Sequence, residues 1–207
     1  MGDLLERFPL FPLGLVLLPS EIRPLHIFEE RYKEMVGFCI DGESPFGIVW
    51  LSDDGLKEVG CTAEISQVLE RMEDGRLNIL VQGGQPFRLL RRVEDLAYPA
   101  GDVELLEDAE AGEPDAGATA EARSRYADLV ARVTDSRPEE EDLTDLDAYA
   151  MAATVDFELE SKQELLELRS ENERLRRLGQ LFGSTIKRLD YAERAGQLAR
   201  SNGKIRS

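Results

Sequence analysis

The 207-residue sequence predicts an α+β fold: a β-rich N-terminal part with one inserted helix, followed by a C-terminal α-helical bundle. Three observations predict it. Before residue 100, apolar and polar residues alternate around an Asp-Gly turn, the pattern of strands joined in a hairpin. After residue 120, apolar residues recur every three or four positions, the period of a helix. Between the two, Asp108–Ala120 (DAEAGEPDAGATA) has no bulky apolar residue and mixes Gly, Pro and acids, as linkers do. The expected organisation is a β-rich subdomain at 1–108, an acidic linker at 109–119, a helical subdomain at 120–200 and a frayed polar tail at 201–207.

Each element follows from its local pattern. Phe28, Tyr32, Met35, Val36 and Cys39 recur at helical spacing, with Glu29, Glu30, Lys33 and Glu34 on the opposite face. Pro24 and Gly42 bracket that helix. Phe46–Leu51 (FGIVWL) is a short apolar run suited to a buried strand. Ala63–Met72 alternates, and after Glu73-Asp74-Gly75 the alternation resumes at Leu77, Ile79 and Val81, which makes a hairpin. Gly83-Gly84 marks a bend or bulge before a further strand at Phe87–Val93. Helices are expected at Ala120–Thr134 and Asp142–Val155. Ser161 with Glu164 and Ser170 with Glu173 have capping-box spacing, so each serine is expected to open a helix. The second of these carries the stripe Leu175, Leu178, Phe182, Ile186 and Leu189. Packing within the chain explains that stripe, and docking of a second copy's helix is the alternative.

Charge narrows the function classes. The chain holds 42 acids and 25 bases, a net charge of −17. Residues 1–101 net −7, residues 102–147 net −12 and residues 148–207 net +2, so the middle stretch supplies most of the acidity. This disfavours nucleic acid as a partner, because phosphate backbones are met with Lys and Arg. No stretch approaches the roughly 20 apolar residues of a membrane span. Leu10–Pro19 is short and broken by Pro12 and Gly14, and Asp3 and Glu6 stand where a secretory signal carries cations. No membrane association is expected, and the cytoplasm is the expected location. Cys39 and Cys61 are too few for a disulfide framework or a zinc site and are expected as buried thiols.

Catalytic chemistry has little to work with. His26 is the single histidine, and between apolar neighbours it is expected to pack or cap; it cannot supply a His-rich zinc site. No Gly-x-Ser-x-Gly elbow is present. Gly55-Leu-Lys-Glu-Val-Gly60-Cys61-Thr62 has P-loop glycine spacing, but Cys61 takes the place of the phosphate-binding lysine, so a turn between strands is expected. No catalytic residue, metal or cofactor is expected.

Several short stretches, in order, resemble the N-terminal domain of Lon proteases. They are Phe8-Pro-Leu-Phe-Pro-Leu-Gly, Val16-Leu-Leu-Pro19 and Pro24-Leu-His-Ile-Phe-Glu-Glu-Arg-Tyr32. Further along come Gly47-Ile-Val, Glu58-Val-Gly-Cys-Thr-Ala-Glu-Ile65, Asn78-Ile-Leu-Val-Gln and Pro86-Phe-Arg88. The helical half adds Lys162-Gln-Glu-Leu-Leu-Glu167 and Glu173-Arg-Leu175. The acidic segment 109–118 and Asp156-Phe157-Glu158 depart from the family pattern. The resemblance implies a PUA-like pseudo-barrel with an inserted helix, followed by a helical bundle. It also implies a role in recognising substrates, without the ATPase and peptidase domains of a full Lon protease. Prolines 9, 12, 19 and 24 are expected to fix turns.

The expected function is therefore a non-catalytic module that binds unfolded or exposed polypeptide segments, or a partner protein, as an adaptor or regulator in protein quality control. The expected surface is a cleft between barrel and helices, rimmed by Glu29, Glu30, Arg31, Lys33 and Glu34. Two other readings stay open: RNA binding by a PUA-like barrel through Arg88, Arg91 and Arg92, and homo-oligomerisation through the C-terminal helix.

Overall fold

The computed structural model describes residues 2–109 and 115–203. The chain forms two compact units, Met1–Ala111 with Tyr149–Arg169, and Gly112–Ala148 with Ser170–Ser207.

The first unit is built on a sheet that closes on itself. Its strands are β1 (Leu4–Leu13), β2 (Ile22–Ile27), β3 (Phe46–Ser52), β4 (Gly55–Leu56), β5 (Val59–Arg71), β6 (Leu77–Val93) and β7 (Ala100–Leu105). The order β1-β7-β6-β5-β3 is closed by a parallel β1–β3 pairing, Leu10 opposite Gly47 through Leu13 opposite Trp50. The other pairings are antiparallel, with β2 added beside β6 and β4 beside β3. A parallel pair cannot be joined by a tight turn and needs a crossover. Here the crossover carries β2 and the inserted helix α1 (Glu30–Asp41). Inside the ring, Phe8, Leu10, Val49, Phe87 and Val103 form a buried cluster, with Phe8 and Phe87 edge to face at 5.8 Å.

The hairpin forms where the Asp-Gly signal places it. Met72 and Arg76 close the turn, and Gly75 adopts φ 82°, a conformation that favours glycine. Beyond it, β6 is one strand of 17 residues and not two. The Gly83-Gly84 signal bends it without ending it, and the pairing with β5 shifts register between Cys61 and Ala63. Gly83 is required by close approach, since a Cβ there would lie 2.0 Å from the Leu18 carbonyl oxygen. Strands β1, β2 and β7 carry no clean alternation. Of the prolines expected in turns, only Pro19 stands in one; Pro9 and Pro12 pair within β1, and Pro24 lies in β2. As an edge strand, β2 tolerates a missing N–H.

Asp142–Val155, expected as one helix, is broken into α3 (Glu140–Thr144), which belongs to the second unit, and α4 (Ala148–Ala152), which with one further short helix completes the first. The next, α5 (Leu159–Glu167), is preceded by Glu158 at the N-cap, so Ser161 lies inside the helix and opens nothing. Leu165 and Leu166 of α5 are buried, each worth about 1.5–3 kcal/mol in burial. Between them and the cap, Lys162 and Gln163 are buried as well. Lys162 Nζ donates to Glu21 Oε1 at 2.6 Å, with side chains 2% and 4% exposed, and Gln163 Nε2 donates to the Val59 carbonyl at 3.1 Å. Burial pulls the Lys162 ammonium below its ordinary pKa against the opposing pull of Glu21.

The second unit pairs α2 (Ala116–Thr134) with α6 (Glu171–Gly203). Asp115 caps α2 by accepting from Gly117 and Ala118 N–H, so the helix begins four residues before the expected Ala120. Those bonds, with the Arg176 guanidinium, hold the Asp115 carboxyl below the usual carboxylate range. The pairings Asp115–Arg176, Tyr126–Phe182 and Arg132–Asp190 advance together along both helices, which therefore run parallel. Leu175, Leu178 and Phe182 of the α6 stripe are buried, while Ile186 and Leu189 are half-buried. Helix α6 continues to Gly203, through the start of the expected tail. Residues 204–207 of that tail, and 110–114 of the expected linker, lie outside the described residues.

Two outcomes are expected. Lys162→Met strands the Glu21 carboxylate and lowers stability in urea unfolding by about 3–5 kcal/mol. Adding Glu21→Gln, which keeps an acceptor for the Leu18 N–H, recovers at least half of that loss; no recovery would show that the two groups do not act as a pair. Cys39 and Cys61 form no disulfide and are buried, and burial pushes the Cys39 thiol up to about 11 and Cys61 higher still. Both should resist a disulfide reagent near neutral pH in the native protein and react fully in urea; fast native labelling would contradict the buried placement.

Candidate functional site

The N-terminus of α1 is set by its underside. Tyr32, Met35, Val36 and Cys39 face inward, and the Tyr32 ring lies 4.1 Å from that of Phe11 in β1. On the outer side, Lys33 Nζ reaches the Asp74 carbonyl at 3.0 Å, tying the helix to the β5–β6 hairpin tip. Phe28 does not join the buried face. It precedes the N-cap Glu29, and its side chain is 59% exposed. The helical period extends one turn too far at this end because the chain is still extended there.

Phe28 instead borders a cleft of about 690 Å³. Its walls come from the end of β1 (Phe11, Pro12, Leu13), the start of α1, the β3–β4 hairpin (Leu51, Leu56), Arg92 of β6 and Pro99. Leu51 is 52% exposed. A second depression of about 440 Å³, lined by Leu10, Leu96, Ala97 and Tyr98 among others, shares Pro12, Arg31, Leu56, Arg92 and Pro99 with the first. Together they make one concave surface lined by both apolar and charged side chains. The cleft belongs wholly to the first unit and lies among the barrel, α1 and their loops.

Of the five residues expected at the rim, the structure brings two to this cleft. Glu29 and Arg31 line it, joined by Arg31 Nε and Nη2 donating to Glu29 Oε2 at 3.0 and 2.8 Å. The Arg31 guanidinium also lies 4.6 Å from the Tyr32 ring centroid. Glu30 and Lys33 pair with each other at 2.8 Å, and Glu34 is exposed further along α1. His26 is exposed, not packed: Asn78 Nδ2 donates to Glu70, which leaves Asn78 Oδ1 to accept from His26 Nδ1 at 2.7 Å, and the imidazole stacks on Phe28 at 5.8 Å. The arginines considered for RNA are dispersed. Arg91 pairs with Asp102 at 2.6 Å, Arg88 lies opposite Glu104, and Arg92 lines the cleft. The bond from Arg7 N–H and the two from the Arg91 guanidinium hold the Asp102 carboxyl below its usual range.

Cys61, at the lysine position of the P-loop-like spacing, is sealed inside β5. Among the described residues no group of three or more His, Cys, Asp or Glu could hold a metal ion, and no helix is long and apolar enough to cross a membrane. A depression of about 680 Å³ in the second unit has its cations engaged, Arg123 on the Thr144 and Leu146 carbonyls and Arg137 on Asp128, and its apolar lining is mainly alanine.

Comparison with known proteins gives this cleft a context. Residues 7–182 match the family model described as the ATP-dependent protease La (LON) substrate-binding domain. The chain is 27% identical over 211 residues to the Lon protease of Paraburkholderia phytofirmans, covering 94% of this chain and 26% of that protein. It is 25% identical over 200 residues to Lon protease 2 of Herpetosiphon aurantiacus, covering 87% and 24%. The chain thus spans about a quarter of the length of these curated relatives. The crystal structure of a Lon N-terminal domain protein from Xanthomonas campestris superposes with a TM-score of 0.65 at 25% identity, covering 84% of this chain and 97% of that one. The N-terminal domain of Mycobacterium avium complex Lon protease shares the fold, with a TM-score of 0.66 at 22% identity and coverage of 86% and 98%. The family match over most of the chain, on a closed barrel with this inserted helix, establishes that the chain belongs to the LON substrate-binding domain family.

Proposed function

We propose that this chain is a non-catalytic polypeptide-binding module, acting as an adaptor or regulator in protein quality control. The observation that carries the proposal is the apolar cleft beside α1, where Phe28 and Leu51 stand more than half exposed. Family membership supports a substrate-binding role. The cleft has the volume of a typical ligand pocket, about 300–1,000 Å³, and is open enough to receive side chains of an extended segment. Within the rim, Glu29 and Arg31 are proposed as contacts, and Glu30, Lys33 and Glu34 as the polar border beside them. A cytoplasmic setting belongs to the same proposal, since two buried unpaired cysteines suit a reducing compartment.

Binding to a panel of 13-residue peptides covering an unrelated protein, read by fluorescence polarisation, tests the reading. Peptides rich in apolar residues should bind and polar ones should not. Phe28→Ser should weaken binding about fivefold or more, the scale expected for losing one large apolar contact, while leaving the circular dichroism spectrum unchanged. Equal binding by the wild type and this variant would remove the cleft from the proposal.

A further inference from the structure

The two depressions beside α1 share part of their lining, including both Arg31 and Arg92. A chain laid across both must pass these guanidinium groups. We propose that Arg31 and Arg92 form an anion-reading saddle, and that the occupant of the cleft is an extended polypeptide with an acidic side chain flanked by apolar residues. This rests on the reading of the cleft as a polypeptide site and adds the chemistry it selects.

The charge arrangement favours that occupant. The Arg92 side chain has no ion-pair or hydrogen-bond partner among the described residues, in a chain with 42 acids against 25 bases. Three other arginines of the barrel are paired, Arg91 with Asp102, Arg7 with Asp95 and Arg76 with Asp74. Arg31 spends Nε and Nη2 on Glu29 and lies over the Tyr32 ring, so its plane is fixed and Nη1 remains for a ligand. Each depression is bordered by these two guanidiniums and one carboxylate, Glu29 in the larger and Glu94 in the smaller. With Arg31 already met by Glu29, the free positive charge common to both linings is that of Arg92. Apolar walls flank the saddle on both sides, with Phe28 and Leu51 by the larger depression and Leu96 by the smaller. An extended chain sends successive side chains to opposite faces at about 3.3 Å per residue, so an acid at the saddle places its neighbours along these walls. A nucleic acid is the poorer fit, because residues 1–101 net −7 and Arg31 and Arg92 are the only Lys or Arg in the lining of either depression.

Fluorescence polarisation with the full chain tests this directly. The probes are a nonapeptide with a central Glu between Phe and Leu residues, its Gln counterpart, and a single-stranded oligonucleotide as competitor. At low salt the Glu peptide should bind about five- to tenfold tighter than the Gln peptide, as a charge-assisted hydrogen bond would give. Added salt should narrow the difference. Arg92→Gln should abolish most of the preference, Arg92→Lys should keep part of it, and the exposed Arg71→Gln, away from the cleft, should keep all of it. Equal binding of Glu and Gln peptides overturns the saddle while leaving the polypeptide reading intact. Failure of every peptide to bind overturns both, and displacement of the Glu peptide by the oligonucleotide at lower concentration than by unlabelled peptide overturns the saddle in favour of nucleic acid.

Discussion

The barrel unit is organised around one buried carboxylate. Glu21 Oε2 accepts the Leu18 N–H at 2.9 Å, and its Oε1 accepts from Arg23 at 2.7 Å and Lys162 at 2.6 Å. Each contact does a different job. The first shapes the turn at Pro19 that precedes β2, the second reaches toward solvent, and the third anchors α5. Two ions of this size cost several kcal/mol each to bury, and only such full coordination offsets the penalty. The turn that Glu21 holds also seats the Leu18 carbonyl over Gly83, where β6 bends. The Glu21 carbonyl accepts the Gly83 N–H at 2.9 Å, so side chain and backbone of one residue fix both the crossover and the bend.

The cleft is a by-product of how that crossover closes the ring. Parallel pairing of β1 with β3 obliges the chain between them to travel over the barrel end, and α1 is what it builds on the way. The helix buries Tyr32 against Phe11, which leaves its first turn, the end of β1 and the β3–β4 hairpin facing one another without filling the gap. Phe28 stays exposed because it falls between the last strand residue, Ile27, and the N-cap. Its exposure follows from the boundary between two regular elements and not from a local instability.

Much of this was readable from residues and some was not. The α1 periodicity, the Asp74-Gly75 hairpin and the burial of both cysteines follow from local rules, because a helix face, a tight turn and a small apolar thiol each carry their own signal. Strands β1 and β2 were obscured by Pro9, Pro12 and Pro24, which speak against strands unless a neighbour's position makes the missing N–H harmless. Lys162 and Gln163 misled for a different reason. In the polar run Glu160-Ser-Lys-Gln-Glu164 they look solvent-facing, and only the long-range partner Glu21 explains their burial. The resemblance to the Lon N-terminal domain singled out that stretch without saying what it does. The cleft was illegible in principle, since its walls come from five separated segments, and a rim of α1 residues was the nearest that helical periodicity could reach.

The reach of Lys162 to Glu21 spans 141 positions. During synthesis the N-terminal strands emerge first, yet β1 lacks an antiparallel neighbour until β7 is made, and Glu21 lacks its buried cation until α5 appears. The ring therefore cannot close until its later residues are made, and its earliest strand waits on them. Such nonlocal closure is slow in physical terms, and it leaves the unpaired edges of β1 and β3 exposed to the crowded surroundings of a growing chain.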